Sequence, residues 1–290
     1  MAKRLENMSK TSGYLRLMRP INCIMMGIAV IVGMVLANPD FSKFQFLNAV
    51  NGFLTGFMLT ASSMAINDYY DREIDAVNEP NRPIPSGLIK PEDALVFAII
   101  LAVIGVIAAS LINTLCLLTA VVSWIISVVY ATSGKRTGLL GNFLVSTCVA
   151  IPFIYGSIVV VGTVKSNVLI FASMAFLSNT GREITKGIVD VQGDKMKNVK
   201  TLAVRYGEKT AAVIAVLFYL AAVSLTPLPW LLNLTSFWFI PLVCVTDVGL
   251  AVSSVMLLKD YSRENARKIK KIVLLWFLIG LLAFVIGALK

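Results

Sequence analysis

Three aspartates in one short stretch are the first residues of this chain whose spacing suggests chemistry. Asp68, Asp71 and Asp75 fall at i, i+3 and i+7, so on a helix they share one face, and Asn67 lies at the edge of that face. Carboxylates held this close together repel one another and raise each other's pKa. The stretch therefore requires positive charge, and a divalent cation is the natural compensation.

A second acidic cluster lies far downstream. Asp190 and Asp194, at i and i+4, share a helix face that Glu183 extends toward the amino terminus. Mg²⁺ prefers oxygen ligands and is typically held by one or two carboxylates together with substrate phosphates. Acidic clusters on two separate helices therefore predict a magnesium pyrophosphate bound between them, with Mg²⁺ as the cofactor. The chain contains no histidine, so histidine bases and histidine metal ligands are excluded.

Basic residues near the two clusters are candidates for binding phosphate oxygens through charge-assisted hydrogen bonds. Among them, Lys135 and Lys186 are favoured, the latter because it lies at i−4 from Asp190. For any single basic residue the alternative is a purely topological role, since cytoplasmic loops of membrane proteins are enriched in Lys and Arg. The candidates are Arg72, Arg82, Lys135, Arg136, Arg182, Lys186 and Lys195.

Two other features have two interpretations each. The connector 81–87 contains two prolines, so it is ordered and non-helical, and it forms either a lid or a rigid turn. Asp247 lies inside an apolar run, where a carboxylate costs about 2.5–3.5 kcal/mol on insertion scales. It should therefore face the protein interior, either for function or as a structural hydrogen-bonding group.

The composition indicates what must position these residues. Hydrophobic residues make up 57% of the 290, charged residues make up 14%, and the mean hydropathy is +0.81, which excludes a soluble globular protein. The net charge of +10 does not indicate nucleic acid, because no basic stripe is interleaved with aromatic residues. The four cysteines lie in apolar runs without C-x-x-C spacing, which argues against disulfides and a zinc site.

Nine apolar runs, each near the roughly 20 residues that a bilayer requires, predict an all-α polytopic membrane protein. We expect nine transmembrane helices that enclose a central cavity and form a single domain over 1–290. Residues 1–20 form a polar lead-in, and the first run is interpreted as a retained helix rather than a signal peptide. The runs are 21–37, 46–66, 93–112, 114–132, 139–162, 167–189, 209–228, 236–257 and 271–289.

The basic residues also predict the orientation. If alternate connections are assigned to one side, 23 of the 26 Lys and Arg residues fall on that side. By the positive-inside rule the amino terminus and both acidic clusters are then cytoplasmic, and the carboxyl terminus is outside. The segments 67–92 and 182–209 become the cytoplasmic loops and helix ends in which catalysis is expected.

Two stretches resemble the aspartate-rich motifs of the UbiA superfamily of intramembrane prenyltransferases. NDYYDREIDAVNEPNRPIPSG is similar to the first motif, and DVQGDKMKNVKTLAVRYG is similar to the second. The motifs follow the second and the sixth apolar run, and the nine-run pattern covers nearly the whole chain. The superfamily's Y-x-x-x-K element is matched less closely, because Tyr130 and Lys135 are one residue further apart.

The resemblance implies a mechanism. Asp68, Asp71, Asp190 and Asp194 would be catalytic, and together with Asn67 and Asp75 they would hold Mg²⁺ on an isoprenyl pyrophosphate. A membrane-embedded hydroxyl acceptor would then attack the allylic carbon, with Glu183 or an aspartate of the second cluster as the open choices of proton acceptor. The implied substrate-binding residues are Arg72, Arg82, Tyr130, Lys135, Arg182, Glu183, Lys186 and Lys195.

Within the superfamily, the stretch from Gly181 to Lys186 followed by D-x-x-G-D is similar to the branch that forms the second ether bond of archaeal membrane lipids. The implied reaction transfers a geranylgeranyl group from geranylgeranyl pyrophosphate to geranylgeranylglyceryl phosphate. An aromatic-acceptor prenyltransferase of quinone synthesis is the main alternative. A secondary transporter would place its polar groups near the bilayer midplane, and a CDP-alcohol phosphatidyltransferase would require a D-G-x-x-A-R signature that the chain lacks.

Overall fold

The computed structural model describes residues 10–40, 42–196 and 199–289, and within these ranges all regular structure is helical. A short 3₁₀ turn, Gly134–Thr137, joins two of the long helices. The predicted lead-in is described only from residue 10, and its first nine residues lie outside the described part of the chain. The α-helices are α1 (Lys10–Met18), α2 (Pro20–Ala37), α3 (Phe46–Asn78), α4 (Pro91–Ser110), α5 (Thr114–Thr132), α6 (Leu139–Val161), α7 (Ser166–Met196), α8 (Leu202–Tyr206), α9 (Glu208–Leu225), α10 (Leu228–Leu231), α11 (Phe239–Lys259) and α12 (Arg263–Ala288).

The predicted all-α, multi-pass membrane architecture is confirmed. Eight helical segments of the described chain are long and apolar enough to cross a bilayer. The remaining predicted run, 167–189, lies in α7, a 31-residue helix whose second half contains the charged residues of the second acidic cluster. That half lowers the hydropathy of α7, so the exact count of nine spans stays a prediction.

Two helices continue well beyond their apolar runs. α3 extends to Asn78 rather than ending near residue 66, because no glycine or proline interrupts the acidic stretch before Pro80. α7 likewise continues to Met196. Segments predicted as loops or helix ends are therefore largely helical, and both acidic clusters lie on rigid extensions of long helices.

The helices form a closed ring. α2 packs against α3 and α6, α7 packs against α6, α9 and α12, and α12 returns to contact α2. One core cluster joins α2, α6, α7, α11 and α12 around Phe153, Phe171 and Phe284. A second cluster joins α7 to α9, α11 and α12 around Ile188, Tyr219 and Ile269. The ring leaves an internal cavity of about 590 Å³, as the expected central cavity requires.

Glycines allow α2 and α6 to approach backbone to backbone on one side of the ring. A Cβ atom added at Gly156 would lie 2.0 Å from the Val30 carbonyl oxygen, and one added at Gly33 would lie 2.1 Å from the Phe153 carbonyl oxygen. Backbone atoms of two packed helices cannot move aside as a flexible side chain can. Only glycine is therefore compatible with this helix contact.

Gly156→Ala is expected to destabilise the fold by about 1–3 kcal/mol, the range for overpacking a tight interior. The measurement is the midpoint of thermal unfolding in detergent. Gly52→Ala is the matched control, because a Cβ there meets only side-chain atoms, the nearest of them on Val30 at 3.2 Å. Equal losses in the two variants would contradict the proposed backbone contact.

Candidate active site

The first acidic cluster lies on the inner face of the extension of α3. Asp68, Asp71 and Asp75 are 2%, 4% and 5% exposed, so the predicted common face is directed into the protein. Burying three ionised carboxylates is unfavourable unless each is paired and hydrogen-bonded. Their partners therefore define the site.

Two arginines from different segments neutralise the ends of this cluster. Arg19, immediately before α2, donates to Asp68, and Arg82 donates both to Asp68 at 3.2 Å and to Asp75. Burial alone would lower the pKa of Arg82, yet the carboxylates of Asp68 and Asp75 more than offset this effect, and the pKa is raised. Arg82 thus remains charged and joins two carboxylates that lie two turns apart on α3.

The connector that contains Arg82 is an ordered turn. Ser86 N donates to the Arg82 carbonyl, and Ile89 N donates to the Pro83 carbonyl, both at 3.0 Å, while Ile84 and Ile89 are buried. Of the two interpretations left open by the sequence, these bonds support the rigid turn. The turn holds Arg82 over the acidic face of α3.

Lys135 neutralises the centre of the cluster from the 3₁₀ turn after α5. Its Nζ donates to Asp71 Oδ2 at 2.7 Å, and Asn67 Nδ2 donates to the same oxygen at 2.9 Å. Burial would lower the pKa of Lys135, but the Asp71 carboxylate outweighs it and the pKa is raised. Tyr130, in the last turn of α5, lines the cavity within electrostatic range of Lys135.

The second cluster meets the first because the ends of α3 and α7 are in contact. Asn78 Nδ2 donates to the Asp190 carbonyl at 3.5 Å, and a Cβ at Gly193 would lie 2.4 Å from that same nitrogen. Asp194 is 1% exposed and its Oδ1 has no hydrogen-bond partner in the described chain, whereas Asp190 is half-buried. The two clusters therefore converge, as the spacing of the motifs suggested.

A further group of charged residues lies one to two turns before Asp190 on α7, and consists of Arg182, Glu183 and Lys186. Glu183 accepts hydrogen bonds from Arg182 and from Lys186, both at 3.2 Å. Lys186 lies one turn before Asp190, and its hydrogen bond is made to Glu183, three residues back. All three side chains line the cavity.

Two predicted substrate-binding residues lie outside this arrangement. The Arg72 guanidinium folds back over the Tyr69 ring, 4.7 Å from its centroid, and donates to the Tyr69 carbonyl at 2.8 Å. Lys195 is exposed near the end of α7. Neither residue lines the cavity, whereas the predicted Asn67, Arg82 and Tyr130 do. Lys135 and the five aspartates of the two clusters do not line it themselves, and the first cluster meets the lining through its partners Asn67 and Arg82.

The site also contains residues that the sequence did not single out. Arg19 and Lys270 both line the cavity, and Asn78 connects the two acidic helices. In the sequence, Arg19 and Lys270 contribute only to the count of basic residues on the predicted cytoplasmic side. Their positions in the sequence could have indicated a role in the site, because each lies just before an apolar run, where its side chain can reach the site.

The donor set fits a magnesium ion that is held partly by substrate phosphates. Among the described residues, no group of three or more Asp, Glu, Cys or His side chains could hold a metal ion by itself. Asn67 Oδ1 and Asp194 Oδ1 are buried oxygens without partners, on the two facing helices. Carboxylates and amide oxygens supplemented by phosphate oxygens are the usual ligands of Mg²⁺. Arg82 and Lys135 compensate the carboxylates in this structure.

The cavity extends from these polar groups into the apolar ring. Its further walls include Met25, Val149, Leu250, Phe277 and Phe284. One end of the cavity therefore suits a charged headgroup, and the remainder suits a long hydrocarbon chain.

The profile of the UbiA prenyltransferase family matches residues 26–288. The chain belongs to this family. Both the predicted superfamily and the predicted enzyme class, a prenyltransferase, are thereby confirmed, and the transporter and phosphatidyltransferase alternatives are set aside. The two stretches that resemble the aspartate motifs of the family carry the two acidic clusters, and their helices meet where Asn78 contacts the Asp190 carbonyl.

Relatives share both sequence and fold with this UbiA family member. The chain is 40% identical over 278 residues to the digeranylgeranylglyceryl phosphate synthase of Archaeoglobus fulgidus, covering 94% of each chain. A solved structure of a digeranylgeranylglyceryl phosphate synthase superposes with a TM-score of 0.74 at 34% identity, covering 98% of this chain and 100% of the other. A UbiA homolog from Archaeoglobus fulgidus bound to DMAPP and Mg²⁺ shares the fold, with a TM-score of 0.67 at 19% identity and coverage of 95% and 100%.

Arg82→Met is expected to lower the free energy of unfolding, because Asp68 and Asp75 then lose their shared cation. The loss should be smaller than the roughly 3–5 kcal/mol lost when one partner of a fully buried ion pair is removed, because the Arg82 side chain is 24% exposed. Mg²⁺ should restore part of it, so adding MgCl₂ should raise the unfolding temperature of this variant more than that of the unmodified protein.

Arg72→Met is the control, since its guanidinium contacts only the neighbouring Tyr69 among the described contacts. Equal MgCl₂ responses of the Arg82→Met variant and the unmodified protein would argue against a metal site at this cluster.

Proposed function

We propose that this protein transfers a geranylgeranyl group from geranylgeranyl pyrophosphate to the hydroxyl of geranylgeranylglyceryl phosphate, with Mg²⁺, and so forms the second ether bond of archaeal membrane lipids. The observation that supports this most directly is that the helices of the two acidic clusters meet, and that Asn67 and Arg82, which bond to the first cluster, line one end of an apolar cavity. The acceptor is proposed from the 40% identical relative and from the D-x-x-G-D stretch.

The acidic clusters would hold the metal on the donor. Asn67, Asp68, Asp71 and Asp75 from α3, with Asp190 and Asp194 from α7, supply the oxygen ligands. Bound Mg²⁺ would offset the charge that develops on the pyrophosphate as it leaves. A UbiA homolog of the same fold has been solved with Mg²⁺ and DMAPP, which supports this assignment.

The cations of the protein would stabilise the leaving group. Arg82 and Lys135, which pair with the aspartates, would turn to the pyrophosphate oxygens as the carbon–oxygen bond of the donor breaks. The apolar walls exclude the water that would otherwise capture the allylic cation. The acceptor oxygen then forms the ether bond and loses its proton.

Two choices of proton acceptor stay open. Glu183 lines the cavity and already accepts hydrogen bonds from Arg182 and Lys186. Asp194 has one carboxylate oxygen without a partner among the described residues, but that oxygen is also proposed as a ligand of Mg²⁺.

The test is pyrophosphate release by the purified protein in detergent with MgCl₂ and geranylgeranyl pyrophosphate. Release should require geranylgeranylglyceryl phosphate and yield a doubly prenylated ether. Release with hydroxybenzoate or naphthoate alone would assign the protein to quinone synthesis instead.

In the same assay Asp71→Asn should lower turnover by at least about 100-fold, because it removes a charged metal ligand and the partner of Lys135. Asp93→Asn, at an exposed position in the first turn of α4, should leave turnover unchanged. Normal turnover of a folded Asp71→Asn protein would rule out the proposed role of the first cluster.

We also propose that both acidic clusters face the cytoplasm and that the carboxyl terminus lies outside, as the 23 of 26 basic residues on one side suggest. The orientation depends on whether α7 crosses the bilayer, because α7 separates residues 165 and 209. In a chain with its four cysteines replaced by alanine, Lys165→Cys should react with an impermeant maleimide on intact cells. Lys209→Cys should react only after permeabilisation. Equal reactivity at these two exposed positions would mean that α7 does not cross the bilayer.

A further inference from the structure

Lys270 is a cavity-lining cation that makes no direct ion pair with either acidic cluster among the described residues. It lies in α12, two turns beyond the helix start, and its side chain is half-buried. It forms no ion pair or hydrogen bond with another residue of the described ranges, although two carboxylates, Asp190 and Glu79, and two cations, Lys186 and Arg182, are within electrostatic range. A lysine ammonium in such a place is costly unless an anion approaches it.

The nearest cations on α7 also have unused capacity. Arg182 donates to Glu183 through Nη1, but its Nε is buried and has no partner in the described part of the chain. Lys186 shares the same glutamate. Arg182 and Lys186 thus share one bonded carboxylate, and both Lys270 and the Arg182 Nε have no bonded partner among the described residues.

This group is separate from the cations of the first cluster. Arg19, Arg82 and Lys135 each bond directly to an aspartate of α3. The cations on α7 and α12 bond to none of these aspartates among the described contacts. The site thus has two cationic groups, and Arg82 and Lys135 of the first group are already assigned to the pyrophosphate of the donor.

The wall beside Lys270 is suited to an isoprenoid chain. Leu274 and Phe277, one and two turns further along α12, line the cavity with Leu250 of α11. A ligand with an anionic headgroup and an apolar tail would therefore find both features along one helix.

We propose that Arg182, Lys186 and Lys270 form the subsite for the phosphate of the acceptor, with Lys270 as its specificity-determining residue. The proposal rests on the proposed function. It explains how one cavity distinguishes its two substrates: the pyrophosphate of the donor lies with Mg²⁺ between the aspartates, and the phosphomonoester of the acceptor lies against the metal-free cations of α7 and α12.

The test compares Lys270→Met with the unmodified protein in the pyrophosphate-release assay. The KM for geranylgeranylglyceryl phosphate should rise about tenfold, the loss of one charge-assisted hydrogen bond. The KM for geranylgeranyl pyrophosphate should not change. With geranylgeranylglycerol, which lacks the phosphate, the variant and the unmodified protein should behave alike.

Two further variants control for charge and for folding. Lys270→Arg should restore most of the affinity for the phosphorylated acceptor. Lys271→Met removes the next lysine of α12, which is exposed and does not line the cavity, and should have no effect.

A binding measurement separates failure of this proposal from failure of the proposed function. Without donor, geranylgeranylglyceryl phosphate should raise the unfolding temperature of the unmodified protein more than that of Lys270→Met, whether or not turnover occurs. Equal stabilisation, or an equal rise in KM for the donor, would overturn the subsite. Absence of product from the unmodified protein with this acceptor would overturn the proposed function.

Discussion

The structure depends on the neutralisation of buried carboxylates. Asp68, Asp71, Asp75 and Asp194 are all at most 5% exposed, at a place where charge is costly to desolvate. The cations that pair with the aspartates of α3 come from separate parts of the chain. Arg19 lies at the start of α2, Arg82 in the proline turn and Lys135 in the 3₁₀ turn. These cations connect segments that are distant in sequence. In the proposed function, a substrate that brings its own metal would exchange one form of compensation for another, so stability and binding would depend on the same ion pairs.

The long helices make that compensation possible. α3 and α7 have 33 and 31 residues, more than the about 20 that a bilayer needs, so each extends its polar end beyond its apolar run. Because the acidic face is helical and not in a loop, the carboxylates are held on a rigid backbone. The contact between Asn78 and Gly193 then fixes the distance between the two extensions. The apolar ring below provides the solvent-free space that an allylic cation would require.

Polar residues deeper in the cavity follow the same rule. Asp247 of α11 accepts a hydrogen bond from Thr226 at 2.7 Å and lines the cavity, while its second carboxylate oxygen has no partner among the described residues. It faces the interior, as the cost of a carboxylate in an apolar run predicts. Its pairing with a threonine supports the structural interpretation.

The four cysteines are all free thiols, and although Cys244 is exposed rather than buried, no disulfide is formed.

The sequence by itself determined the all-α membrane architecture, the family and the face on which Asp68, Asp71 and Asp75 lie, because hydropathy and helical periodicity are local properties of the chain. It did not determine the partners of those residues. Arg72 is one residue from Asp71 yet folds onto Tyr69, whereas Lys135, 64 residues away, makes the ion pair. Lys186 pairs with Glu183 and not with Asp190, and Lys270 reaches the cavity from the last helix. Only the tertiary structure decided these pairings, since ion-pair energies depend on distance and burial, and both are set by how the helices close into a ring.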